Sequence, residues 1–147
     1  MTTRVKPFNP NHIFVDTNVV VGAYCKDGRH QADEDCLHYL FSLNGKKLFI
    51  SALSVAQLVS LFQKKHSNNE IIDIVHHLQH RFTIVGFTNN DITEALIETG
   101  ADIEDNMQYV IAKKQKCRIL ITNNVKDYRL LMGVEAIKPS KVRIISR

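Results

Sequence analysis

The chain has 147 residues, of which 44% are hydrophobic and 23% are charged, and its formal net charge at pH 7 is +4. A chain of this length buries roughly two thirds of its unfolded surface, so one domain holds together without a disulfide or a metal. The near-average composition excludes disordered, collagen-like and low-complexity chains, because enough apolar surface is present to offset the entropy of ordering. Three cysteines, an odd number at wide spacing, fit neither a disulfide framework nor a zinc site and predict reduced thiols.

The apolar runs predict the cellular location of the protein, and the distribution of charge bears on its partners. No apolar run approaches the roughly 18 residues needed to cross a bilayer, and residues 1–7 lack the apolar stretch of a signal peptide. We therefore predict a cytoplasmic protein with no membrane partner. Of the 19 basic residues, 10 lie in residues 113–147, where only Asp127 and Glu135 are acidic. This basic segment either contacts the phosphates of a polyanion or is an ordinary solvated surface.

Short apolar segments alternate with segments of helical periodicity along the chain. Runs rich in β-branched or aromatic residues, each too short for a helix, predict five strands at 13–15, 48–50, 82–85, 119–121 and 142–145. Apolar residues spaced three or four apart predict helices within 37–41, 55–62, 71–78, 92–97 and 103–111. Residues 1–11 contain two prolines and are predicted to form an irregular lead-in to a single domain over 12–147.

This alternation predicts the fold class. Strands that are apolar almost throughout are buried on both faces, and helical crossovers between strands require parallel pairing. The simplest architecture is an α/β fold, a three-layer α/β/α sandwich around a mostly parallel five-stranded sheet. In such sheets the working site usually lies outside the carboxyl ends of the strands, so the residues at those ends are the first candidates.

Polar and acidic residues gather near the predicted strand ends. Asp16 directly follows the first strand, and Thr122 and Asn124 follow the fourth. Asp102 and Asp105 lie three apart at the start of a predicted helix, where they share one face. Each acid alone has a simpler explanation, because Asp is a good helix N-cap and acids in a first turn interact favourably with the macrodipole. If the acids converge on one rim of the sheet, their mutual repulsion predicts a cation between them.

Four segments carry a resemblance to a known family: residues 13–18 (IFVDTN), 51–58 (SALSVAQL), 102–109 (DIEDNMQY) and 119–128 (ILITNNVKDY). In this order and spacing the chain resembles the PIN-domain ribonucleases, especially the bacterial branch of VapC-like toxins, over nearly its whole length. The resemblance implies a hydrolase that uses Mg²⁺ or Mn²⁺, held by acidic residues, to cut RNA. It also implies a small antitoxin protein as a partner and a homodimer.

The resemblance assigns candidate residues position by position. Asp16 matches the first acid of the family and Asp105 the third, while Asp102 and Asp127 match extra acids of this branch. Asn124 occupies the fourth position, where the family has Asp or Asn. The implied metal ligands are therefore Asp16, Asp105, Asp102, Asn124 and Asp127, and the implied substrate-positioning residues are Asn18 and Thr122.

Gln57 departs from the family pattern, which normally has Glu at the second acidic position. The four predicted catalytic positions are thus Asp16, Asp105, Gln57 and Asn124, and two of them are amides. An amide oxygen can ligate a hard cation but brings no charge, and glutamine does not accept a proton at neutral pH. Two hypotheses follow. One is a metal-dependent endoribonuclease with weakened metal affinity, the toxin of a toxin–antitoxin pair; the other is a PIN-like module that binds RNA or a protein partner without cleavage.

A dinucleotide-binding α/β protein is a less favoured alternative. Such proteins cradle a pyrophosphate in a glycine-rich loop after the first strand. In this chain no glycine follows the first strand until Gly22, so the loop needed for that chemistry is missing.

Overall fold

A computed structural model describes residues 8–100 and 102–146. Within that range strands alternate with helices and two short 3₁₀ helices follow β4 and β5. The elements in chain order are β1 (Asn9–Val15), α1 (Thr17–Cys25), α2 (Gln31–Phe41), β2 (Lys47–Ser51), α3 (Ala52–Phe62), α4 (Asn68–Arg81), β3 (Thr83–Val85), α5 (Asn89–Leu96), α6 (Ile103–Lys114), β4 (Cys117–Ile121), a 3₁₀ helix (Val125–Tyr128), β5 (Glu135–Ile137) and a second 3₁₀ helix (Pro139–Ile144). No helix in this part of the chain has the length and apolarity needed to cross a membrane.

The five strands form one sheet in the order β3-β2-β1-β4-β5, and every neighbouring pair is parallel. β1 lies at the centre, where Ile13 pairs with Leu48 of β2 on one side and with Ile119 of β4 on the other. This arrangement confirms the predicted α/β fold with a parallel five-stranded sheet.

The side chains of β1 alternate between two hydrophobic cores. Ile13 and Val15 pack with residues of α1 to α4 on one face of the sheet, whereas Phe14 packs with residues of α5 and α6 on the other. All three side chains have 0% exposure, because a central parallel strand is covered by helices on both faces. The molecule therefore has the three layers that the sequence predicts.

The prediction of a fifth strand at 142–145 is wrong. The edge strand is β5, which pairs with β4 through Ile121 and Ile137, and the predicted segment lies largely in the second 3₁₀ helix. Val142 and Ile145 are buried while Ile144 is 64% exposed. A three-residue spacing of buried side chains is the period of a 3₁₀ helix, so the β-branched composition of this segment was misleading.

The predicted irregular lead-in over 1–11 is wrong at its carboxyl end. β1 begins at Asn9, whose backbone N–H donates to the carbonyl of Lys116 at 2.7 Å. The pairing with β4 is irregular between Asn9 and Ile13, a stretch that contains Pro10, whose ring nitrogen has no hydrogen to donate. Residues 1–7 of the predicted segment lie outside the described residues.

Candidate active site

The predicted site lies where the connections of the sheet change direction. The chain passes from β1 outward to β2 and β3 and then returns to place β4 on the other side of β1. Connections that leave two adjacent strands towards opposite faces open a crevice at their carboxyl ends. Val15 pairs with Ile121, and the residues that follow them are in contact, since the Thr122 hydroxyl donates to Asp16 Oδ2 at 2.8 Å.

Asp16 is buried at the base of this crevice, with 3% exposure. It is the N-cap of α1, and its Oδ1 accepts from the backbone N–H of Thr17 at 2.8 Å. Burial raises the pKa of the Asp16 carboxyl, and the hydrogen bonds that it accepts oppose the increase. The carboxylate accepts further hydrogen bonds from four side chains: Thr122, Tyr128, Asn18 and Gln108. Asp16 thus caps a helix and faces the site at the same time.

Asp105 approaches Asp16 from the first turn of α6. The hydroxyl of the buried Tyr128 lies 3.1 Å from Asp16 Oδ2 and 3.3 Å from Asp105 Oδ1, so it joins the two acids. Burial and the charges of Asp16, Asp102 and Asp127 raise the pKa of Asp105 to about 7. The site therefore concentrates negative charge on one point of the crevice.

The donor set fits a hard divalent cation. Among the ion pairs of the described residues, none involves Asp16 or Asp105, so no lysine, arginine or histidine neutralises these two carboxylates. Oxygen ligands and net negative charge are what Mg²⁺ and Mn²⁺ require, and one or two carboxylates suffice when water and substrate phosphates complete the shell. This donor set is consistent with the cation that we expect from the mutual repulsion of the acids.

The structure places the predicted positioning residues around Asp16. Thr122 is fully buried, and its hydroxyl donates to Asp16 and accepts from the backbone N–H of Asn124 at 3.0 Å. Asn18 donates to Asp16 at 3.2 Å and accepts from the backbone N–H of Asn123 at 3.1 Å. Asn124 is exposed at the start of the first 3₁₀ helix and lines the same cleft.

The two extra acids differ in their surroundings. Asp102 is exposed and is the N-cap of α6, because its side chain accepts from the backbone N–H of Asp105 at 3.1 Å. The predicted pairing of Asp102 and Asp105 on one helix face therefore becomes a capping contact. Asp127 is partly buried and lies near enough to Asp105 for a side-chain hydrogen bond that raises the Asp105 pKa.

Gln57 lies in α3 at the rim of the crevice, partly buried. Its amide oxygen accepts from the Thr17 hydroxyl at 2.8 Å, and its amide nitrogen donates to Oε1 of Glu104 at 2.6 Å. Glu104 is an exposed residue of α6 that the sequence did not single out. The amide therefore connects the base of the crevice to a further carboxylate.

These side chains line one cleft of about 620 Å³. The polar residues on its wall include Asp16, Asn18, Gln57, Glu104, Asp105 and Asn124. A cleft of this size is within the range of small-molecule and cofactor sites. The predicted catalytic positions are thus brought together on a single surface.

Sequence reasoning missed two buried polar residues of the site. Tyr128 joins the acids, and Gln108 donates from its amide nitrogen to Asp16, to Thr17 at 2.8 Å and to Ser54 at 2.9 Å. Gln108 follows Asp105 by three residues, a spacing that places both on one side of α6. A polar residue within the otherwise apolar stretch of that helix was the available signal.

Asp33 is a third buried polar residue that the sequence did not predict. It lies in the first turn of α2 with 4% exposure, and its Oδ1 accepts from the side chain of Asn123 at 3.0 Å. A Cβ at Gly22 would lie 1.9 Å from Asp33 Oδ2, so only glycine leaves room for the carboxylate against α1. Through Asn123 and Asn18, this contact ties α2 to the residues around Asp16.

A second group of possible metal ligands lies at the edge of the cleft, whose wall includes His30. Within the described residues, only Cys25, Asp27 and His30 form a trio of Cys, His, Asp or Glu side chains whose ligand atoms all lie within 4.8 Å of one another. The Arg29 guanidinium donates to Asp27 through two nitrogens, at 3.0 and 2.7 Å. Because this ion pair already neutralises the carboxylate, the trio has no uncompensated charge to attract a cation.

Comparison with known proteins identifies the family. A family model described as the PIN domain matches residues 12–126. The chain is 28% identical over 130 residues to Ribonuclease VapC1 of Aquifex aeolicus (strain VF5), covering 82% of this chain and 86% of that protein.

Solved structures share the fold at lower identity. VapBC-1 from nontypeable Haemophilus influenzae has a TM-score of 0.66 at 16% identity, covering 88% of this chain and 99% of that chain. VapC20 of Mycobacterium tuberculosis, a Sarcin-Ricin loop cleaving toxin, has a TM-score of 0.61 at 13% identity, covering 81% and 96% of the two chains. With its five parallel strands, its acids at the strand ends and a match over residues 12–126, this chain belongs to the PIN-domain family.

Proposed function

We propose that this protein is a ribonuclease that hydrolyses RNA phosphodiesters with a divalent cation, Mg²⁺ or Mn²⁺, held at the Asp16 and Asp105 carboxylates. The observation that carries the proposal is the junction of these two acids at Tyr128 without a positive partner among the described residues. Two like charges this close repel each other, and a divalent cation bound between them would relieve that repulsion.

The residues of the cleft have distinct roles in this proposal. Asp16 and Asp105 hold the cation, and Asp127 and Asn124 extend the oxygen-rich surface around it. When bound, the cation would polarise the scissile phosphate and lower the pKa of the attacking water. Tyr128 keeps the two carboxylates in a fixed relation through its hydroxyl.

Neutral donors at the base of the crevice hold Asp16 in place. Thr122 and Asn18 both donate to Asp16 Oδ2, at 2.8 and 3.2 Å. Gln108 and the backbone N–H of Thr17 donate to Oδ1, so both oxygens are oriented. Pre-oriented ligands lose little freedom when a cation binds, which favours a precise site despite the small number of acids.

A role as the toxin of a toxin–antitoxin pair is the second part of the proposal. It is supported by the fold shared with VapBC-1 from nontypeable Haemophilus influenzae and with a toxin–antitoxin complex from Klebsiella pneumoniae, and by the similarity to Ribonuclease VapC1. The expected partner is a small antitoxin protein. Induced expression of the chain is expected to arrest growth, and co-expression of the partner to relieve the arrest; growth unaffected by the chain would contradict this role.

The cleavage activity is tested with purified protein, mixed RNA and Mn²⁺. The wild type is expected to cut RNA, and EDTA or Asp16→Asn to abolish cutting, because each removes the cation or its ligand charge. A wild type that, like Asp16→Asn, cuts no RNA would overturn the ribonuclease proposal. Equal, metal-dependent cleavage by both proteins would indicate a contaminant or a different site.

A PIN-like module that binds RNA without cleavage is the alternative, and Gln57 is the observation that favours it. In that case the wild type is inactive and Gln57→Glu gains activity. RNA binding measured in EDTA by fluorescence anisotropy would then persist in Asp16→Asn, since binding without cleavage does not need the ligand charge.

A further inference from the structure

The second acidic position of the family is Gln57 in this chain, yet a carboxylate is present at the same point of the cleft. The amide of Gln57 donates to Oε1 of Glu104 at 2.6 Å, across 47 residues of sequence and between two helices, α3 and α6. Both side chains line the cleft that contains Asp16 and Asp105. The charge missing from α3 is therefore supplied at the same rim by α6.

The partners of Gln57 determine the orientation of its amide. An ionised carboxylate only accepts hydrogen bonds, so the amide nitrogen must face Glu104 and the amide oxygen must face the Thr17 hydroxyl. That hydroxyl in turn accepts from Gln108 at 2.8 Å, and Gln108 also donates to Asp16. A continuous set of hydrogen bonds thus runs from Asp16 to Glu104.

Glutamate at position 57 is incompatible with this contact. Two ionised carboxylates at 2.6 Å repel each other and have no hydrogen to share. The pair therefore has one carboxylate and one amide at this rim. Relative to the family pattern, the charge is carried by α6 instead of α3. Oε1 of Glu104 is taken by the amide, which leaves Oε2 without a hydrogen-bond partner among the described residues.

The ligand atoms of Glu104, Asp16 and Asp105 do not all lie within 4.8 Å of one another. We propose that Glu104 is a third carboxylate of the cation site, acting on the cation through its charge and a bridging water rather than as a direct ligand, and that Gln57 is its positioning residue. This inference rests on the proposed metal-dependent ribonuclease. In it, Gln57 is a compensated substitution: the charge of the second acidic position is retained by transfer from α3 to α6.

The test measures Mn²⁺ affinity by isothermal titration calorimetry, independently of cleavage. Glu104→Gln removes one charge and is expected to weaken Mn²⁺ binding by about 10-fold or more, the size of effect seen when residues that orient or support metal ligands are removed. Gln57→Leu keeps every carboxylate but releases Glu104, so a smaller loss of Mn²⁺ affinity is expected. Glu94→Gln, an exposed glutamate of α5, is the matched control and is expected to leave the affinity unchanged.

The double variant Gln57→Glu with Glu104→Gln exchanges the charge between the two helices. It preserves one amide and one carboxylate at the contact, and it is expected to restore the affinity to within about threefold of the wild type, since the single change at 104 already costs about 10-fold. RNA cleavage is expected to follow the same order. If the hydrogen bond between Gln57 and Glu104 only stabilised the fold, exchanging the charge between the two positions would not restore the Mn²⁺ affinity.

The outcomes separate this inference from the function on which it rests. If Asp16→Asn abolishes Mn²⁺ binding and cleavage while Glu104→Gln binds Mn²⁺ as the wild type does, the role of Glu104 is wrong and the ribonuclease proposal stands. If Gln57→Glu alone binds Mn²⁺ more tightly than the double variant, the two positions are additive and the exchange is refuted. If the wild type neither binds Mn²⁺ nor cuts RNA, both proposals fail.

Discussion

The Tyr128 hydroxyl is the donor that contacts both acids, so its removal tests the geometry of the site directly. Tyr128→Phe retains a ring that is 2% exposed and deletes one O–H group. The oxygen lies 3.1 Å from Asp16 and 3.3 Å from Asp105, but its single proton serves one carboxylate at a time. The loss is therefore one hydrogen bond to a charged group, and we expect the free energy of unfolding of the metal-free protein to fall by about 1.5–3 kcal/mol.

Tyr109→Phe is a matched control for this change. The Tyr109 ring is also 2% exposed, and its hydroxyl donates to the neutral carbonyl of Met132 at 2.6 Å, a bond that contributes about 0.5–1.5 kcal/mol. Urea unfolding in EDTA at pH 8 is followed by far-UV circular dichroism, because the chain has no tryptophan. If Tyr128→Phe lowers the free energy of unfolding no more than Tyr109→Phe does, the hydrogen bond from Tyr128 to a charged carboxylate is refuted.

Three further predictions concern the scaffold around the site. Gly22→Ala is expected to lower the free energy of unfolding by about 1–3 kcal/mol, because its Cβ would lie 1.9 Å from Asp33 Oδ2. A Cβ added at Gly86 would meet no neighbouring atom within 4 Å, so Gly86→Ala is expected to cost less. Equal thermal shifts for the two variants would contradict the clash. Burial raises the pKa of Cys36 and Cys117 to about 12, so a thiol reagent at pH 8 is expected to label only Cys25 in the native protein and all three thiols in denaturant; rapid native labelling of Cys25→Ser would be inconsistent with this. Burial alone would raise the pKa of Asp91, but hydrogen bonds from Lys114 and Thr88 hold it below the ordinary value of 3.8. A carboxyl whose pKa is lowered by folding stabilises the protein at a pH above its unfolded-state pKa, and this stabilisation is lost as the pH falls through its folded-state pKa. Asp91→Asn is therefore expected to lower the free energy of unfolding by about 1–2 kcal/mol at pH 7, and this difference from the wild type is expected to shrink between pH 5 and pH 2 in denaturant titrations. A difference that stays constant with pH would refute the ion pair.

The central strands could be predicted because their patterns are local. Residues 13–15, 48–50 and 119–121 are short apolar runs bounded by polar residues, and each lies within a strand of the sheet. β5 escaped prediction because Glu135–Ile137 is a three-residue edge strand with no apolar run of its own. Its pairing with β4 defines it as a strand, and pairing is a property of the assembled sheet.

The site was predictable to the extent that it follows from strand ends. In a parallel sheet the residues after adjacent strands must be neighbours, so Asp16 and Thr122 could be placed together from the strand assignments. Tyr128 and Glu104 could not be placed in this way. Their positions depend on how the 3₁₀ helix after β4 and the first turn of α6 pack against the crevice.

The sequence by itself determined the order of the layers and the acids at the carboxyl edge of the sheet, because periodicity and strand ends are encoded locally. It also showed an amide at position 57 where the family has an acid. Only the tertiary structure decided what that amide does. Gln57 and Glu104 lie on different helices and are 47 positions apart in the sequence. The balance of charge in the cleft depends on which side chains meet there.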